Sequence, residues 1–220
     1  MKILYEDKYI CVCVKEPGML SEEDGNKRSV PKFLKERYAE LGERTDIYTV
    51  HRLDKNVGGV MVCARNPRSA SILASAIGSR EVDKIYHAVV SGRPEQEKGT
   101  FTDLLLHDAS KNKTYVVDRM RKGVREAALE YELVTTICLE GRELSLVRIK
   151  LLTGRTHQIR VQFASRKMPL VGDGRYGSGD GRDTPALFAS RLSFTHPKTG
   201  KKMTFEQELP EDEPFCSFKE

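Results

Sequence analysis

The chain has 220 residues, 39% of them hydrophobic and 31% charged, a balance that fits a water-soluble globular protein and excludes a disordered chain. Lys plus Arg number 37 against 32 for Asp plus Glu, a net charge of +5 that permits RNA or another polyanion as partner without requiring one. The longest apolar run near the start, "YICVCV", is too short to span a bilayer, and Glu6, Asp7 and Lys8 so close to Met1 argue against a secretory leader.

In chain order, "KILYEDKYICVCVKEPG" reads as two strands around a turn at Glu6-Asp7-Lys8. "SEEDGNKRS" is a polar loop. "VPKFLKERYAELG" reads as a helix, with Ser29 and Pro31 near its start and Gly42 past its end. "HRLDKNVGG" follows, then the apolar run "VMVCA". "NPRSASILASAIG" carries Asn66 and Pro67 as start signals, and Ala70, Leu73, Ala74 and Ile77 recur at helical spacing.

"KIYHAVVSG" is strand-like. Residues 92 to 126 read as loops and short strands. "AALEYELVTT" and "GRELSLVRIKLLTG" read as strands, the second with a slip between its alternating pairs Leu144/Leu146 and Ile149/Leu151. "RTHQIRVQFASR" switches to helical spacing from near Thr156. "ALFASRLSFTHPKTGKKMTFEQEL" reads as a hairpin turning at His196 to Gly200. Many strands with few helices, in no regular alternation, predict an α+β fold.

The five cysteines show no CxxC spacing, and Cys11 and Cys13 share a strand face without being placed to bond each other. Buried free thiols in a reducing cytoplasm are expected, with no zinc site. The histidines His51, His87, His107, His157 and His196 lack metal spacing. No GxGxxG, P-loop or GxSxG is present, so a dehydrogenase or NTPase reading has no support.

Three places carry chemistry. Asp54 lies in "VHRLDKNVGG", where Gly58 and Gly59 would let a ligand approach the backbone; the plain alternative is an Asp that hydrogen-bonds its own turn. In "LTGRTHQIR", Arg155 and Arg160 stand where a strand meets a helix, a common anion-binding position. If Arg160 met Asp54 at ~4 Å, the attraction would be about 4 kcal/mol before desolvation; the alternative is a structural ion pair. Tyr86 in "KIYHA" is either a core tyrosine or a ring stacked on a planar ligand. His51 and His157 read as hydrogen-bonded structural groups rather than general bases. "RMRKGVR", with Arg119, Arg121, Lys122 and Arg125, follows Lys111 and Lys113 and is either a phosphate-facing loop or a solvated turn.

Taken together these stretches resemble the RluA-type branch of the pseudouridine synthases. That branch carries HRLDxxTSG, similar to "HRLDKNVGG"; KxYxA, similar to "KIYHA"; and TGRTHQIRVH, similar to "TGRTHQIRVQ". The likeness extends through "PLVGDGRYG" and "LFASRLSFTHPKTG" and covers most of residues 2 to 210. It implies a mixed, largely antiparallel central sheet flanked by helices and loops, with a catalytic cleft across the sheet. It also implies one catalytic domain over residues 1–220 without the S4 RNA-binding module. Val57-Gly58 departs from the usual Thr-Ser, Gln162 from the usual His, and "VKEPGM" moves the proline of KPxG by one place.

By the same resemblance Asp54 is the catalytic aspartate, Arg160 its basic partner and Tyr86 the aromatic against the target uracil. Arg52 takes up space vacated by the flipped nucleotide. His51, Arg155, Lys113, Arg121 and Lys122 would contact substrate. The implied reaction breaks the bond from ribose to the uracil nitrogen, turns the base and rejoins it through ring carbon 5. Nothing enters or leaves, so no metal, redox or nucleotide cofactor is expected. The expected partner of this monomeric, cytoplasmic protein is structured RNA, ribosomal or transfer. A non-catalytic RNA-binding protein on the same fold is the alternative. A hydrolase using His51 and Asp54 would need a metal cluster or an activated Ser or Cys, and neither is apparent.

Overall fold

The computed structural model describes residues 1–43, 46–177 and 184–218. The chain divides into two compact units, Met1–Lys84 with Ala189–Glu208, and Ile85–Phe188 with Leu209–Glu220. The secondary structure is α+β: mostly antiparallel strands and, among the described residues, three α-helices.

The first unit is built on strands β1 (Lys2–Glu6), β2 (Ile10–Lys15), β3 (Tyr48–Thr49), β4 (Gly58–Ala64), β10 (Leu187–Thr195) and β11 (Lys202–Glu206). The order is β1-β2-β4-β10, with β3 also on β4 and β11 on β10. β2 and β4 are apolar almost without interruption because both faces are covered. Cys11 faces Cys63 across that pair, and burial pushes both thiols upward. Helix α1 (Val30–Glu40) is capped by Ser29 Oγ, which accepts from Lys32 N, and α2 (Pro67–Gly78) by Asn66 Oδ1, which accepts from Ser69 N at 2.9 Å. Leu73 of α2 seats among Ile10, Val12, Val60, Val62 and Phe194. Burying such side chains contributes about 1.5–3 kcal/mol each.

The turn between β1 and β2 is organised by Asp7, whose Oδ1 accepts from Tyr9 N at 2.7 Å and Ile10 N at 2.8 Å. Its Oδ2 lies 2.9 Å from His196 Nε2, which ties this turn to the β10–β11 turn. The expected hairpin at His196–Gly200 is present.

The second unit runs in the order β5-β9-β8-β6-β7, with strands Asp83–Ser91, Arg142–Leu151, Val124–Leu139, Lys98–Asp108 and Lys113–Val117 respectively. Each neighbouring pair is antiparallel. Short strands and loops were expected over residues 92 to 126, whereas β6 is an 11-residue strand. Its buried residues, Phe101 and Leu105, are separated by three polar or partly exposed ones, so strict alternation is hidden. The irregularity expected within β9 lies on its partner: Leu133 pairs with Val147 and Thr135 with Leu146, leaving Val134 as an exposed extra residue. Cys138 is exposed, not buried as expected, because β8 runs past the core to the Glu140–Gly141 turn.

Helix α3 (Gln158–Ala164) begins two residues later than its spacing suggests, because His157 takes a left-handed conformation at φ 53°. Phe163 fixes the helix to the sheet, 5.0 Å from the Phe101 ring and 6.0 Å from Tyr131. Gln162 reaches β6: its Nε2 donates to Asp103 Oδ2 at 2.7 Å. Arg166 forks onto the same carboxylate at 3.0 and 3.2 Å.

Candidate active site

Asp54 belongs to the first unit and is half-buried on the loop before β4. The loop is held from three sides. Ser21 Oγ accepts from Leu53 N at 2.9 Å and lies 2.7 Å from Leu53 O, as donor. Val57 N donates to Asp54 O at 3.0 Å, closing a turn. Lys15, fully buried at the end of β2, donates from Nζ to the carbonyls of Lys55 at 2.9 Å, Met19 at 2.7 Å and Glu16 at 3.1 Å. Burial drives the Lys15 ammonium down to about 8, and the charge of Asp54 works against that fall. The lysine, bonded to backbone carbonyls, thus places a cation beside the Asp54 loop.

Gly59 is forced by geometry and Gly58 is closely packed. Gly59 has φ +126°, and a Cβ there would sit 2.3 Å from Ala189 O. A Cβ on Gly58 would lie 3.1 Å from Pro17 Cδ and 3.2 Å from Lys15 O. The moved proline and the glycine in place of Ser are therefore one packing arrangement: Pro17 occupies the space beside Gly58.

His51 is buried with its Nε2 accepting from Val62 N at 3.1 Å, so the ring is engaged with β4 backbone. Burial, with the nearby Lys84 charge, lowers it to about 3 and keeps it neutral. Arg52 is exposed and pairs with Glu22 at 3.2 Å.

In the second unit, Tyr86 is buried on β5, opposite Ile149 of β9. Arg160 lies in the first turns of α3 and is 8% exposed. Its Nε and Nη2 donate to the two oxygens of Asp173 at 2.7 and 2.8 Å. Asp173, in "PLVGDGRYG", is the residue that sequence reading assigned no role; the separation of 13 residues gave no periodic signal. Arg155 is exposed and donates from Nε to Glu126 O at 2.9 Å. The bend before α3 is organised by Gln158, whose Oε1 accepts from Thr153 Oγ1 at 2.8 Å and Arg155 N at 3.0 Å.

Lys113 opens β7, with Nζ 5.5 Å from the centre of the Tyr176 ring. Lys111 lies in the β6–β7 turn, and Arg119, Arg121 and Lys122 are exposed in the loop after β7. These cations share one hairpin and its exit, a surface to which phosphates are attracted. Among the described residues no group of His, Cys, Asp and Glu could hold a metal ion. No described helix is long and apolar enough to cross a membrane.

A family model described as RNA pseudouridylate synthase matches residues 9–165. An uncharacterized RNA pseudouridine synthase of Bacillus subtilis (strain 168), YjbO, is 33% identical, covering 96% of this chain and 74% of its own length. The dual-specificity RNA pseudouridine synthase RluA of Vibrio parahaemolyticus is also 33% identical, covering 90% of this chain and 78% of its own. Among solved structures, human RNA Pseudouridylate Synthase Domain Containing 1 superposes with a TM-score of 0.79 at 22% identity, over 95% of this chain and 83% of that one.

Proposed function

This chain belongs to the RNA pseudouridylate synthase family of isomerases, and from that premise we propose that it converts specific uridines of ribosomal or transfer RNA to pseudouridine, with Asp54 as the catalytic carboxylate. The observation that carries the assignment is the construction of the Asp54 loop. The backbone on either side of the partly exposed Asp54 is held by Ser21 at Leu53, by the Asp54–Val57 turn and by Lys15 at Lys55, ahead of a strand whose Gly59 takes φ +126°. A merely solvated turn has no need of a buried ammonium beneath it.

In this reading the target base leaves its stack, at a cost of a few kcal/mol that is smaller in a loop than in a duplex. Contacts from Lys113, Arg121, Lys122 and Arg155 to phosphates offset that cost. Arg52 fills the space the base leaves. Tyr86 packs on the uracil, and Arg160 is the basic residue that serves the reaction. His51 acts as a buried brace for the loop. No cofactor takes part, and the protein works as a cytoplasmic monomer on one catalytic domain.

Tritium release from RNA labelled at carbon 5 of uridine tests the assignment. Asp54→Asn is expected to release none above background while still binding the RNA. Release by that variant at near the parent rate would overturn it.

A further inference from the structure

Arg160 is not simply a charge on α3. Its guanidinium is forked by Asp173, a carboxylate with no exposed surface, and the same Oδ1 accepts from the backbone N–H groups of Arg175 and Tyr176 at 3.2 Å each. The loop that carries Asp173 therefore folds around the ion pair. Tyr176 then reaches two further elements. Its Oη accepts from Thr114 N of β7 at 2.8 Å and lies 3.1 Å from Nδ1 of His157, the left-handed residue that starts α3. Thr114 Oγ1 donates in turn to Thr156 O at 2.8 Å. The Tyr176 ring centre is 5.2 Å from the Arg160 guanidinium carbon, and Arg175 Nη1 donates to Lys111 O at 3.1 Å.

We propose that Asp173 is a positioning residue that fixes the direction of the Arg160 guanidinium, and that Tyr176 joins this clamp to the basic β6–β7 hairpin, so that Arg160 is aimed only when the hairpin is seated. A guanidinium held by two parallel hydrogen bonds has its plane and its remaining N–H directions fixed. Arginine without the fork would keep its charge and lose that direction. The phenol bonds to β7 and to the α3 entry at once, so the basic hairpin and the start of the helix that carries Arg160 share one oxygen. The proposal rests on the reading above in which Arg160 serves the reaction.

Single-turnover pseudouridine formation and the RNA dissociation constant test it, measured on the full chain with total cellular RNA tritiated at carbon 5 of uridine. Asp173→Asn is expected to slow the single-turnover rate about 100-fold, the scale of a misplaced group, with the dissociation constant changed less than about threefold. Tyr176→Phe keeps the ring and the Arg160–Asp173 fork and is expected to slow the rate about tenfold. In an Arg160→Lys background, Asp173→Asn should add less than about twofold, because the two residues act as one unit.

Additive losses, or losses carried by the dissociation constant alone, would overturn the proposal. If Asp173→Asn does not fold, Tyr176→Phe decides: a parent-like rate for it overturns the coupling. Arg160→Lys at the parent rate would sink the role of Arg160 and this inference with it. Arg160→Lys slowed while Asp173→Asn is at the parent rate would sink this inference alone.

Discussion

Lys15 Nζ donates to the carbonyl of Lys55 at 2.9 Å, and Lys55 is the residue that follows Asp54. The last residue of β2 thus sets the backbone of the Asp54 loop and places a cation beside its carboxylate. Its value of about 8 lies below the ordinary 10.5, chiefly through burial. The ammonium is therefore charged below about pH 8 and neutral above it. Catalysis is expected to weaken as pH rises through that value, by about tenfold, and Lys15→Met should be slow at all pH values and lack this alkaline limb. Between about 8 and 10.5 the unfolded chain holds the extra proton, so burial of Lys15 makes stability rise with pH across that window. Rate profiles of parent and variant with an identical alkaline limb would refute the role.

The two glycines that open β4 give a prediction about stability. Gly59→Ala forces a Cβ onto Ala189 O in a conformation that L-residues avoid. It should cost about 3 kcal/mol or more in urea unfolding, at the upper end of single substitutions. Gly58→Ser meets Pro17 and the Lys15 carbonyl, and is expected to cost about 1–3 kcal/mol. A parent-like urea midpoint for Gly59→Ala would show that the strand does not make the approach described.

The basic hairpin predicts a salt signature. Removing one phosphate contact, as in Arg121→Ala or Lys122→Ala, should weaken binding to all RNAs alike and reduce the slope of log affinity against log salt by about 1. Filter binding over a series of KCl concentrations measures this. Unchanged slopes in both variants would remove the hairpin from the interface.

Asp7 gives the acid limb of stability. Burial would raise its carboxyl, but the hydrogen bonds from Ile10, Tyr9 and His196 outweigh burial and hold it below the ordinary 3.8. A carboxyl lowered in the folded state stabilises above its unfolded value, and that contribution disappears as pH falls through the folded one. The melting temperature should therefore fall on acidification below about pH 4, and Asp7→Asn should lower it at neutral pH and flatten the acid dependence. Equal slopes for the two proteins between pH 5 and 3, roughly the carboxylate range, would contradict this.

Much of the local structure was legible. Ser29 and Asn66 announced their helices because capping is local chemistry, and β2 and β4 announced themselves because strands covered on both faces read as apolar runs. β6 reads only as short strands and loops because its outward face is polar and Gly99 stands next to its start. The resemblance gave Arg160 the carboxylate of Asp54 as partner; within its own unit its guanidinium is forked by Asp173, 13 residues on, which no local pattern announced.

The sequence alone determined the α+β class, through the periodicity of its strands and few helices, and the resemblance of three short stretches to family motifs pointed to Asp54, Tyr86 and Arg160 as candidates. Only the tertiary structure decided that Lys15 braces the Asp54 loop, that Pro17 and Gly58 form one contact, and that Asp173 and Tyr176 hold Arg160 to the basic hairpin. Those contacts join segments separated by up to 62 residues, and no periodicity or turn rule encodes which distant backbone atom a side chain will meet.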